Sequence, residues 1–247
     1  MKTAPTNFKI NNYVAQCYLA YGHADKAFSY IKDNPGVFTE RYLMSAWSSL
    51  MSIAADYGSV EVMDKVLSEY QQVTTKGGLN PQNVASIMGF GSRIVYKLYS
   101  NGKYEEAIAR ADADLKKFSE NIEGLKEHEF FTKEGVHPEL RKYYYEVSYP
   151  STMITVLNYR AMALIKLQKL EGIYQPFEEM LKAAESLSFA DDSPYRAQPW
   201  YLKYRILYTI SNVARLAGDT AKANDFAAQG KTAYEKLKAI NDEMRKK

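Results

Sequence analysis

The stretch NGKYEEAIARA, Asn101–Ala111, decides the fold. It follows an apolar helical stripe of Ile94, Val95 and Leu98. Gly102 can take the left-handed conformation that closes a helix. Glu105 suits the positive end of the next one. Ala107 and Ala111 lie four apart, on one face, and are small enough for two helices to approach closely. The stretch therefore reads as two helices joined by a very short turn.

The same unit recurs along the chain. YGHAD (21–25), YGSVE (57–61) and AGDTA (217–221) repeat the pattern of apolar stripe, glycine and helix-starting residue. A fifth turn, LQKLEG (167–172), has Gln168 where the glycine is expected. YVAQCYLAY places Val14, Cys17, Tyr18 and Tyr21 on one stripe, and ISNVARLA does so for Ile210, Val213, Ala214 and Ala217. Strand signals are scarce: no alternating run is bounded by Asn-Gly or Asp-Gly. The spacing predicts five hairpins over about 7–34, 38–76, 80–119, 148–188 and 195–245, with an insertion at about 120–147. Together they form a single domain over 1–247.

These residues resemble the tetratricopeptide repeat, whose unit is a helix pair of about 34 residues. Trp47, Leu50, Met51, Ala54, Gly58, Met63 and Tyr70 stand at the family's places in the second hairpin. Ile94, Leu98, Gly102, Tyr104, Ala107 and Ala111 do so in the third. The match is degenerate: the fourth hairpin has Arg160 where a leucine is expected, and the closing proline is missing from most units. The resemblance implies an all-α, right-handed α-solenoid of about five antiparallel hairpins. One hairpin cannot bury its apolar face alone, but a stack can.

Composition narrows the function. The chain has 247 residues and a net charge of only +3, from 32 basic and 29 acidic side chains. No basic excess calls for nucleic acid, and no charge block calls for a membrane surface. No apolar run reaches membrane-spanning length. MKTAPTNFKI lacks the apolar core of a signal peptide, which points to a cytoplasmic protein. Cys17 is the only cysteine, so no intrachain disulfide forms, and it reads as a small buried hydrophobe.

Catalytic and metal sites find little support. His23 and Asp25 share a turn, and the histidine's position elsewhere holds Ser59, Lys103 and Asp219, which marks it as solvent-facing. Glu134 and His137 have an i, i+3 spacing, but Gly135 and Pro138 argue against a regular helix presenting both. MGFGSR (88–93) has no strand before it, so Gly89 and Gly91 read as helix-packing positions rather than a nucleotide loop. No cofactor, metal or catalytic residue is expected.

The expected function is a non-catalytic scaffold that binds a protein or peptide in the concave groove. The resemblance places the first helix of each pair on that face. The matching positions are Asn12, Gln16, Ser48, Ser52, Ser92, Arg93, Tyr96 and Tyr99, then Asn158, Tyr159, Tyr208, Asn212 and Arg215. This lining is polar with aromatic steps, suited to an extended peptide. Part of the family clamps acidic chaperone tails. Its clamp positions here hold Asn12, Gln16, Ser49, Gly89 and Arg93, and only Arg93 agrees, so such a clamp is not expected. One alternative is a ligand-sensing regulatory domain of a larger signalling or transcription protein, with the insertion folding over the groove. Another is an enzyme using the insertion's Glu and His side chains. The insertion also carries Phe130, Phe131, Tyr143, Tyr144 and Tyr145, which suit either a partner contact or a packed cover.

Overall fold

The computed structural model describes residues 7–76 and 78–246, and these form an all-α protein. The chain divides into two compact units, Met1–Leu98 and Tyr99–Lys247.

In the first unit, α1 (Phe8–Ala20) pairs with α2 (Ala24–Lys32), and α3 (Glu40–Tyr57) pairs with α4 (Val60–Lys76). α1 also packs on α3. α5 (Pro81–Ser100) follows, with Phe90 set edge-on against Tyr70 of α4 at 4.8 Å. The core holds Ala15, Ala27, Trp47, Leu50, Met63 and Ile94, all essentially sealed from solvent.

α1 does not bury the stripe expected of it. Asn11, Asn12, Ala15 and Leu19 face inward, while Cys17 is only half-buried and Tyr21 is exposed. Buried asparagine is tolerated when its amide is bonded. The Asn11 carbonyl accepts the Tyr30 hydroxyl, and its amide donates to the Asn7 carbonyl at 3.0 Å.

In the second unit, α6 (Tyr104–Glu123) packs on a long helical rod. The rod comprises α7 (Leu140–Tyr143), a π-helical turn (Tyr144–Ser148) and α8 (Tyr149–Lys166). The π turn has a local cause. Pro150 lacks an N–H and its ring crowds the carbonyl four residues back. The Tyr149 amide then bonds the Tyr144 carbonyl, five residues away. α9 (Gln175–Glu185) and α11 (Thr220–Met244) both pack on α10 (Gln198–Leu216), which also packs on α8. Leu157, Phe177, Ile206, Ile210 and Val213 meet in this core. Arg160, the misfit of the fourth hairpin, reaches Asp112 on α6 at 2.6 Å, so an ion pair replaces an apolar contact.

The turn glycines are of two kinds. Gly22, Gly102 and Gly218 have φ of +82°, +76° and +83°, as helix closure requires. Gly58 is extended instead, at φ −92°. A Cβ there would stand 2.8 Å from the Ala54 carbonyl oxygen, so close approach is what demands glycine. Gly89 has no packing role, since a Cβ there would meet nothing within 4 Å.

Gln168 adopts φ +58°, the only non-glycine at positive φ among the described residues. A side chain in this region costs about 1–2 kcal/mol. Glycine gives back about 0.5–1 kcal/mol through its freer unfolded state. Gln168→Gly should therefore stabilise the protein by about 0.5–1 kcal/mol, read as a higher urea midpoint at unchanged slope.

Candidate peptide-binding site

In the first unit two of the expected groove residues, Asn12 and Arg93, bond across neighbouring helices. Asn12 is buried and donates to Ser49 at 3.1 Å, joining α1 to α3. Arg93 donates to the Ser52 hydroxyl at 2.9 Å, joining α5 to α3, and Ser52 leans on the Ser48 carbonyl at 3.4 Å. Ser92 is buried and bonds the Gly89 carbonyl of its own helix at 2.8 Å. Gln16 is half-buried and Tyr96 is exposed. The structure thus brings Ser48, Ser52 and Arg93 together and directs Ser92 into its own helix.

In the second unit two open clefts adjoin along α10. One, about 400 Å³, lies between α8 and α10 and is lined by Thr155, Asn158, Tyr201, Arg205 and Thr209, among others. The other, about 310 Å³, lies between α10 and α11 and is lined by Ser211, Asn212, Arg215, Lys231 and Tyr234, among others. Tyr204 and Tyr208 line both clefts. Their rings are 6.0 Å apart, and Tyr234 stands 5.4 Å from Tyr204. Tyr208 is 56% exposed, a large amphipathic ring open to a partner.

Helix geometry explains the grouping. At 100° per residue, positions 201, 204, 205, 208, 212 and 215 fall within an arc of about 100° on α10. Arg205 donates to Thr155 on α8 at 3.2 Å, which fixes its guanidinium at the first cleft. Gly230 of α11 also lines the second cleft, and a Cβ there would only reach ordinary contact with Leu207, at 3.6 Å.

Four expected residues, Asn158, Tyr208, Asn212 and Arg215, line these clefts. Tyr159 is half-buried on α8 and lines neither, and Tyr99 packs on Tyr104 at 5.7 Å. Thr155, Tyr201, Tyr204, Arg205, Lys231 and Tyr234 are cleft residues that the sequence pattern does not single out. A signal exists for three of them: Tyr201, Tyr204 and Arg205 continue the Tyr208–Asn212 face at helical spacing. The two α11 residues have no such signal, because the second helix of a pair is not expected on the groove.

The insertion lines neither cleft. Its aromatic rings pack inward: Phe131 on Tyr144 at 5.5 Å, Tyr143 stacked on Tyr195 at 4.6 Å, and His137 edge-on to Tyr195 at 5.4 Å. Both histidines of the segment use Nδ1 to accept backbone N–H groups, His128 from Phe130 and His137 from Glu139. Glu139 accepts from the Ala190 amide at 3.2 Å. A hydrogen bond from Ser193 is the chief cause that holds its carboxyl below the usual range. Burial pushes the Tyr145 phenol up to about 12, and its hydroxyl donates to the Ile122 carbonyl at 2.6 Å. Among the described residues, no group of three or more His, Cys, Asp or Glu side chains is placed to hold a metal ion. No helix among them is long and apolar enough to cross a membrane.

The chain is similar to the nearly identical TPR-like repeats of a Podosopora anserina protein named as a putative kinesin light chain. Identity is 12%, coverage is 99% of this chain and 100% of the other, and the TM-score is 0.41. A point-substituted form of those repeats gives 13% identity, 98% coverage of each chain and a TM-score of 0.42. No protein-family model matches the sequence. No curated protein matches it either.

Proposed function

We propose that this chain is a non-catalytic module that binds an extended peptide segment of a protein partner along the α8–α10–α11 face. The observation that carries this reading is the pair of adjoining clefts sharing Tyr204 and Tyr208. Tyrosines give a large contact area at low entropic cost, and the side-chain amides of Asn158 and Asn212 can bond a peptide backbone. The insertion lines neither cleft, which favours an open binding face over a lidded sensor pocket.

Peptides selected from a random displayed library against the folded chain should lose about 30-fold or more in affinity on Tyr204→Ala/Tyr208→Ala, the scale of a binding hot spot. Fluorescence anisotropy measures the affinity, and far-UV circular dichroism checks that the variant stays folded. Selected peptides that bind the double variant unchanged, or a library that yields no binder, would sink the proposal.

A further inference from the structure

Resting on the peptide-binding reading, we infer that the partner segment is acidic and carries two carboxylates four or five residues apart, flanking an apolar side chain. The first support is charge. In the second unit Arg110, Arg141, Arg160 and Arg196 each pair with a carboxylate. Among the described residues, Arg205 and Arg215 on the cleft face of α10 pair with none, and neither does Arg245 just past α11, which lines neither cleft. Lys231 adds a third cation, and neither cleft is lined by any Asp or Glu. Three cations and no carboxylate give this face a local positive charge, which complements an anionic partner.

Spacing supplies the second support. Arg205 and Arg215 are ten positions apart on one helix, about 15 Å along its axis. An extended peptide rises about 3.3 Å per residue, so four or five residues cover that span. Tyr204 and Tyr208 lie within or beside the interval, where an apolar side chain between the two acids would rest. Arg205 uses one nitrogen on Thr155 and keeps donors for a carboxylate. Arg215 has only a long 3.4 Å contact with Asn212 to give up.

The test starts from the peptides recovered by the same random library. Two acidic residues four or five apart should be enriched among them. Synthetic versions with both acids changed to Gln should bind about tenfold or more weakly. Arg215→Gln should weaken the acidic peptide about tenfold and its Gln analogue by clearly less. Affinity should fall as salt rises from about 50 to about 500 mM. Enrichment of neutral or basic peptides that still require Tyr208 overturns the charge rule and leaves the binding face standing. Tighter binding of a single-stranded oligothymidine than of any acidic peptide overturns it in favour of nucleic acid. A library that yields no binder overturns both readings.

Discussion

Trp47→Ala should lower stability by about 3–5 kcal/mol, the usual cost of removing a buried tryptophan. Trp47 is 1% exposed, and its ring meets Phe28 of α2 edge-on at 5.6 Å. It stands where α3 meets the first hairpin, beside Ile31 and Phe38. A domain is stable by only about 5–15 kcal/mol, so the loss is a large share of the total. Far-UV circular dichroism in urea should show a lower midpoint, with Trp47→Phe falling less because it keeps a ring in place. The only other tryptophan is Trp200 in the second unit, half-exposed between Lys203 at 4.5 Å and Lys236 at 4.6 Å. Its fluorescence remains to report the second unit in the Trp47 variant. A midpoint shift worth less than about 1 kcal/mol would mean that the indole is not part of a tightly packed core.

The helices and most turns are legible in the sequence because both rest on local chemistry. Gly22, Gly102 and Gly218 close helices through a conformation that glycine alone adopts easily, and that signal is written in single residues. Gly58 looks identical in sequence, yet its reason is the nearby Ala54 carbonyl, a contact seen only in three dimensions. The buried face of α1 is not legible, because hydrophobic periodicity cannot foresee a buried asparagine satisfied by a tyrosine from the next helix. The binding face is half legible for a similar reason. Tyr208, Asn212 and Arg215 follow from helix position, but Lys231 and Tyr234 enter from α11 through packing on α10. Gln168 shows the reverse: without a glycine the turn carries no left-handed signal, although the backbone takes that form regardless.

Tyr149→Ala should cost about 3–5 kcal/mol and should loosen the insertion before the rest of the second unit. Tyr149 is 0% exposed and begins α8 just beyond the π turn. Phe118 of α6 meets its ring at 5.5 Å, Tyr144 at 5.6 Å and Tyr145 at 5.1 Å. Tyr144 in turn carries Phe130 and Phe131 of the insertion, each at 5.5 Å. Tyr149 therefore links the insertion's rings to α6, and its loss leaves a cavity at that junction. Trypsin should then cleave after Lys126 or Lys133 several-fold faster than in the parent chain. Cleavage at an unchanged rate would show that the insertion is held by other contacts, such as Glu139 on Ala190. A pH titration supplies a second reading. Burial raises the phenols of Tyr145 and Tyr149 above their ordinary value of 10, to about 12 for Tyr145. The unfolded chain ionises them first, so the stability they contribute is full below about pH 10 and is lost as pH rises towards about 12. In Tyr149→Ala part of that dependence disappears with the phenol. The variant's deficit relative to the parent should consequently shrink between about pH 10 and 12, and a deficit that grows there would contradict a buried, neutral Tyr149.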